Sequence, residues 1–170
     1  MKRISKKYGY YGTNAFLAVI NIIVYRNVDQ IESKSLELEV ETKLSNGLNG
    51  RLGYTLQHPQ KRLTKQTLIN SPKHLGKLNL SVPLIRRTVF AGMELQYTSP
   101  RRTLDGSDLK SVWLSKLTFF GQRPVSGLDL SLSIYHLFDR KYSDPAADEH
   151  RQNAIEQNGR NLRLKLTYRF

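Results

Sequence analysis

Cysteine is absent from this 170-residue chain, which excludes a disulfide scaffold and any thiolate metal site. Long apolar runs are scarce as well. Hydrophobic residues make up 39% of the chain, and the one extended run, Ala15 to Tyr25, is too short for a spanning helix. A helical membrane protein is thereby excluded. A β-barrel is not, because its strands alternate and half of each can be polar. Helical periodicity is missing throughout. Catalytic signatures are missing too: there is no Gly-x-Ser-x-Gly elbow, P-loop, His-Glu-x-x-His or dinucleotide fingerprint. No enzyme and no cofactor are expected. The histidines (His58, His74, His136 and His150) lack metal-ligand spacing, so no metal site is expected either.

Negative charge is also in short supply, with 14 Asp+Glu against 27 Lys+Arg and a net charge of +13. Such a balance points to nucleic acid or to an anionic membrane surface. A nucleic-acid site gathers its cations on one face, often with aromatics between them. Here Arg51, Lys77, Arg163, Lys165 and Arg169 fall on alternate strand positions, and Arg86, Arg87, Arg101, Arg102 and Arg123 fall in connections. The first group suits a wet lumen and the second suits lipopolysaccharide phosphates. No nucleic-acid partner is expected.

What the chain does have is alternation of period two. Leu162, Leu164, Leu166, Tyr168 and Phe170 share one face of a strand, with Arg163, Lys165, Thr167 and Arg169 on the other. The pattern recurs at Leu128–Ile134, Val89–Tyr97, Leu78–Leu84, Leu48–Leu56 and Leu36–Val40. Ser111–Phe120 alternates less cleanly, and Phe16–Val24 is apolar on both faces. Together these segments predict about eight strands of the length a tilted membrane strand needs.

The connections are predicted at Ser45–Gly47, His58–His74, Ile85–Arg87, Ser99–Asp108, Gly121–Gly127 and Asp139–Gly159. Longer and shorter ones take turns, as short periplasmic turns and long outward loops do in outer-membrane barrels. Residues 1–13, with Lys2, Arg3, Lys6 and Lys7, are expected as a disordered basic segment. They and the apolar run after them resemble the start of a signal peptide, but no small-x-small cleavage site follows, so a working one is not expected.

The stretch Leu128 to Tyr142 resembles the penultimate strand of TonB-dependent receptors, whose motif is Asn-Leu-Phe-Asp-x-x-Tyr. Leu137, Phe138, Asp139 and Tyr142 match it, and His136 stands where the family usually has Asn. Gly159-Arg160 is similar to the family's lead into its last strand. Leu164, Leu166, Tyr168 and Phe170 resemble the signal read by the barrel-assembly machinery. Ser35–Glu39 resembles the family's Gly-x-Glu-x-Glu strand, and Asn70–His74 its Asn-x-Pro-x-His segment.

The resemblance covers roughly residues 20–170. It implies an all-β fold, an antiparallel up-and-down transmembrane barrel segment forming a partial barrel over residues 14–170. Such transporters have about 22 strands around a plugged lumen, so this chain would supply the C-terminal part only. The implied setting is the Gram-negative outer membrane, with lipid and lipopolysaccharide as surroundings. The full-length parent would engage a plug domain, the TonB protein and a metal chelate or similar nutrient. Candidate outward-loop contacts for that ligand are His58, His74, Arg101, Arg102, Asp144, Asp148 and His150. Two alternatives stand beside this reading: a small free-standing barrel with a structural or adhesive role, and a soluble basic β-protein that binds nucleic acid.

Overall fold

The computed structural model describes residues 2–10, 15–26, 31–85, 88–147 and 149–170. The described residues form strands and no helix. In chain order these are β1 (Lys2–Tyr10), β2 (Ala15–Arg26), β3 (Ile31–Lys43), β4 (Asn49–Lys61), β5 (His74–Ile85), β6 (Val89–Thr98), β7 (Arg101–Arg102), β8 (Asp108–Leu109), β9 (Val112–Val125), β10 (Leu128–Tyr135), β11 (Ser143–Pro145), β12 (Ala154–Glu156) and β13 (Asn161–Tyr168). Nine of them make one antiparallel sheet in the order β1-β2-β3-β4-β5-β6-β9-β10-β13. Neighbours in the sheet are neighbours in sequence, apart from two small hairpins, β7–β8 and β11–β12, that sit within the longest connections.

The pairing register makes one apolar face. Ile20 lies opposite Leu38, which lies opposite Tyr54. Leu52 lies opposite Leu78, and Leu78 opposite Leu95. Met93 lies opposite Leu117, Leu117 opposite Ile134, and Ile134 opposite Leu162. A slip of one residue in any strand would turn its whole apolar set to the other side. Between β2 and β13 the apolar row is kept, and the register shifts only at the strand ends, at Pro83/Ile85 and at Leu128/Leu130.

This apolar face is exposed. Leu162, Leu164 and Leu166 keep 70%, 62% and 62% of their surface accessible, and Ile22, Leu36, Leu52, Leu56, Leu130 and Leu132 are also open. Among the described residues the buried apolar set is only Val19, Ile23, Val112 and Ala146. Leaving a large apolar side chain in water forfeits about 1.5–3 kcal/mol relative to burial. On the order of ten such side chains outweigh the roughly 5–15 kcal/mol by which a domain is stable in water. The sheet is built for surroundings in which its outside is the favourable side.

The opposite face is polar and ion-paired. Arg51 on β4 meets Glu39 at 3.3 Å and Glu41 at 3.4 Å on β3. Lys116 on β9 meets Glu94 on β6 at 2.8 Å, and Arg169 meets Asp129 at 3.1 Å. Thr118 and Ser133 hydroxyls lie 3.0 Å apart. Lys116 and Arg163 both sit 5.2 Å from the Tyr135 ring centroid, a cation–π arrangement.

Several boundaries differ from the sequence-based expectation. Residues 2–10, expected to be disordered, pair with β2 along their length, which raises the main sheet from the expected eight strands to nine. Strand β4 runs on through His58 to Lys61. Strand β9 continues to Val125, so the expected Gly121–Gly127 connection shrinks to Ser126-Gly127, with a register shift between Leu128 and Leu130 absorbing the irregularity. Gly127 has φ +77 there, and a Cβ on it would stand 2.6 Å from the Arg169 carbonyl oxygen. Only glycine fits such a turn.

Candidate functional site: the rim of long loops

The connections that follow β4, β6 and β10 leave the sheet at one end, and the turns at 44–48 and 126–127 leave it at the other. The long loops are tied together. Arg101 is the centre of the tie: its guanidinium donates to the Asp144 carboxylate at 2.6 Å, to the Ser143 carbonyl at 3.3 Å and to the Asn70 side-chain oxygen at 3.4 Å. The Asn70 amide donates to the Arg102 carbonyl at 2.9 Å. Asn153 donates to Asp105 at 2.7 Å. The Arg101 side chain is only 11% exposed, so the pair is partly desolvated and its charge-assisted bonds are stronger than they would be in water.

Two ionisable groups at this rim are shifted. The Asp105 carboxyl is held below its ordinary value, first by the Thr103 hydroxyl and then by the Ser107 side chain and amide. Each donates to the charged form and so favours it. Burial pushes the Tyr142 phenol up, the Asp144 charge adds to the rise, and Arg101 opposes it.

The motif residues converge on the start of β13. The Asp139 carboxylate accepts the Arg160 backbone N–H at 2.7 Å, and its other oxygen lies 3.8 Å from the Arg160 guanidinium. A Cβ on Gly159 would come within 2.6 Å of the same carboxylate. The chain leaves β10 through two left-handed residues, His136 (φ 52) and Asp139 (φ 50). Asn, Asp and His are the side chains most often found there. That is a physical reason for His136 to stand in a place where the related motif has Asn. The His136 ring packs against Tyr142 with centroids 5.6 Å apart. Leu137 donates its amide to the Ser115 carbonyl at 3.3 Å, and Phe138 stays exposed.

The loop candidates divide. Arg101 and Asp144 form one half-buried pair, Arg102 follows Arg101 with its Nε on the Gly106 carbonyl, and His150 is exposed. Asp148 lies outside the described residues. His58 and His74 were expected in a loop but belong to β4 and β5. Both share a row with Leu56, on the apolar side of the sheet. The His74 Nδ1 lies 2.7 Å from the Tyr54 hydroxyl, and the two histidines do not meet above the sheet. The alternation simply turns polar where the strands outrun the apolar band. Asn70, quoted in the sequence only as the start of the Asn-x-Pro-x-His segment, proves to tie its loop to Arg101 and Arg102.

An aromatic band underlines the rim. Tyr54 on β4, Tyr97 on β6 and Trp113 on β9 stand at one level of the apolar face, with the Tyr97 and Trp113 rings 4.7 Å apart. Gly76 lies between Tyr54 and Tyr97 in the register and leaves room for both rings. Phe119 and Tyr168 mark the other end of the same face. From Trp113 to Phe119 is roughly 20 Å of strand, close to the height of an outer-membrane apolar band.

No family model matches the chain, and no curated protein matches it in sequence. Solved structures do match in fold. The ferric-catecholate import receptor Fiu from E. coli K12 superposes with a TM-score of 0.78 at 17% identity, over 99% of this chain and 27% of its own. The siderophore receptor PiuA from Acinetobacter baumannii gives 0.75 at 17% identity, over 98% and 28%. The FrpB iron transporter from Neisseria meningitidis gives 0.71 at 15% identity, over 99% and 30%. These neighbours are TonB-dependent receptors.

The fold is that of a barrel section of such a receptor. At these identities the likeness establishes architecture, and this barrel section spans between a quarter and a third of each neighbour's length. The resemblance first carried by Leu137–Tyr142 and by the alternating strands is thus matched by the fold of almost every residue.

Proposed function

We propose that the chain forms wall and outward loops of an outer-membrane receptor that takes up a nutrient such as a ferric chelate, and that it does not transport by itself. The observation that carries this reading is the inverted sheet, exposed and apolar outside, ion-paired inside, with every long connection on one rim. Such a sheet needs hydrocarbon against its apolar face and protein or water against its polar one. On this reading the apolar face meets outer-membrane lipid, and the rim above the Tyr54–Trp113 band faces outward near lipopolysaccharide. Leu164, Leu166, Tyr168 and Phe170 present the alternating edge that the barrel-assembly machinery takes up. The polar face turns toward a plug domain moved by the TonB protein in the complete receptor. Arg101, Arg102, Asp144, Asp148 and His150 remain the loop residues nearest an incoming ligand. Neither nucleic-acid binding nor catalysis has a place in this scheme.

The strand count favours a section over a free-standing barrel. Nine up-and-down strands would bring β1 and β13 together parallel, whereas bacterial outer-membrane barrels close antiparallel with an even number. In lipid each unsatisfied backbone group costs several kcal/mol, so the two edges call for further strands.

The test is expression of the chain alone in a Gram-negative strain lacking its own ferric-chelate receptors. The expected result is recovery of the chain with the outer membrane and no growth on the chelate. Growth would refute the claim that it cannot transport, and recovery as a soluble monomer would refute the membrane placement.

A further inference from the structure

Three Asn-Gly steps occur in the chain: Asn46-Gly47, Asn49-Gly50 and Asn158-Gly159. Such a step carries its own nucleophile, because the glycine amide nitrogen, with no Cβ to screen it, can attack the Asn side-chain carbon. Two conditions govern the attack. The glycine N–H must be free to lose its proton, and the Asn side chain must be free to swing onto it.

The first two steps fail these conditions. In the 44–48 turn the Gly47 amide donates to the Leu44 carbonyl at 2.9 Å. The Asn46 side-chain oxygen accepts the Leu48 amide at 3.0 Å, so both reacting groups are already engaged. Asn49 and Gly50 lie in β4 with a strand on either side: Asn49 pairs with Lys43 and Ser81, and Gly50 with Thr42 and Leu80. The Asn49 side chain also donates to the Gly47 carbonyl at 3.3 Å.

Asn158-Gly159 lies between β12 and β13, in neither a strand nor a turn. Asn158 is exposed. Among the described residues, neither its side chain nor the Gly159 amide takes part in a hydrogen bond. The chain is clamped on either side instead. Gln157 donates its amide to the Tyr142 carbonyl at 2.9 Å, and Arg160 donates its amide to the Asp139 carboxylate at 2.7 Å.

We propose that Asn158 is a site of spontaneous deamidation, and that the isoaspartate it yields opens the Asp139–Arg160 joint. The Gly159 nitrogen bonds to the Asn158 side-chain carbon, and the side-chain nitrogen leaves as ammonia with the displaced proton, closing a cyclic imide. Water then opens the imide at either carbonyl. The net exchange is one water for one ammonia, with no oxidation or reduction. Opening at the main-chain carbonyl routes the backbone through the former side chain and adds a methylene ahead of Gly159. Space there is short, since a Cβ on Gly159 would already stand 2.6 Å from the Asp139 carboxylate. A longer backbone held at Gln157 displaces Gly159, and the Arg160 amide leaves its acceptor.

To test this, the full chain is aged in detergent micelles in mildly alkaline buffer, and the three steps are followed by peptide mass spectrometry. The expected result is conversion at Asn158 about tenfold faster than at Asn46 or Asn49, the ratio set by the one or two hydrogen bonds that the slower steps must first break. In denaturant the three rates should draw together, because the fold makes the contrast. Equal rates in micelles, or a contrast that persists in denaturant, would overturn the proposal. Amide exchange at Arg160 reads the consequence. Protection should be lost in the aged chain, and kept in aged Asn158→Gln and in fresh Asn158→Asp, which gains the charge without the methylene. Full protection in the converted chain would overturn the opening of the joint, and loss in fresh Asn158→Asp would assign it to charge and overturn the backbone account.

Discussion

The carboxylate of Asp139 and the backbone amide of Arg160, separated by 21 positions in sequence, are joined by a 2.7 Å hydrogen bond that closes the longest loop onto the start of the last strand. Gly159 is part of the same joint, because a Cβ there would press on the carboxylate. Asp139→Ala should cost about 1.5–3 kcal/mol of local stability, the range for a hydrogen bond to a charged group. Gly159→Ala alone should cost a similar amount through the clash. The two should not add: once the Asp139 side chain is gone, the methyl group at 159 meets nothing. A double-mutant cycle read by proteolysis of residues 140–158 checks this. Additive effects would mean that the two residues act separately.

His136 makes the second prediction. Its φ of 52 is left-handed, which costs a β-branched residue about 1–2 kcal/mol. His136→Asn should be neutral or slightly stabilising, and His136→Val should destabilise the exit from β10 by that amount. Amide exchange at Leu137 and Asp139, whose N–H groups hold the turn through Ser115 and His136, reports it.

Much of this architecture was legible in the chain, and the reasons for the misses are physical. Leu162–Tyr168 and Leu78–Leu84 declare themselves because hydrocarbon on one side and water on the other force a period of two. β1 does not, since Lys6-Lys7 and Tyr8-Gly9-Tyr10 show no apolar row of their own, and the strand is specified by its pairing with Ala15–Arg26. The extension of β4 through His58 was hidden for the same reason. Above the apolar band the ladder continues although the side chains are polar. The Asp139–Gly159 joint was seen as a motif without its geometry, because its partners come from opposite ends of a loop. The Arg101–Asp144 tie depends on two loops meeting, which no local pattern encodes.

That tie supports the third prediction. Arg101→Ala would leave Asp144 without its main partner and loosen the three long loops, which would keep only the Asn70–Arg102 and Asn153–Asp105 bonds between them. The expected loss is about 1.5–3 kcal/mol in a cycle with Asp144→Ala, with little recovery from Arg101→Lys, since a lysine cannot reach Asp144, Ser143 and Asn70 together. Exchange protection in β7–β8 and β11–β12 should fall together. Loss confined to one hairpin would show that the loops are held independently.

Acidity should loosen the 103–107 turn in a defined direction. The folded Asp105 carboxyl sits below its ordinary value of 3.8, chiefly through the Thr103 hydroxyl and then Ser107. A group whose pKa is lowered by folding contributes its stability fully above its unfolded value, and loses it as pH falls through the folded one. Protection of the Gly106 and Ser107 amides should therefore hold at neutral pH and decline only below the ordinary carboxylate range. Asp105→Asn should remove that acid dependence. A turn that opens on raising the pH would contradict the assignment.

The decisive stability test concerns which side of the sheet meets hydrocarbon. Leu80 and Asn79 are adjacent on β5 and point to opposite faces; Leu80 lies opposite Met93 in the middle of the apolar row, and Asn79 lies opposite Glu94 on the ion-paired side. A lysine facing lipid at the bilayer midplane costs about 2–4 kcal/mol, whereas a lysine at 79, between Glu94 and Arg51 in the register, stays on the polar face and keeps its water. Leu80→Lys should therefore sharply reduce the fraction of chain recovered with the outer membrane, and Asn79→Lys should leave it near the parent level. The same contrast should appear at Leu164 and Lys165 if Leu164→Lys is compared with Lys165→Leu, since β13 shares the register of the sheet. If both lysines at 79 and 80 are tolerated alike, neither face is in lipid. If Asn79→Lys is the damaging one, the two faces have been assigned the wrong way round.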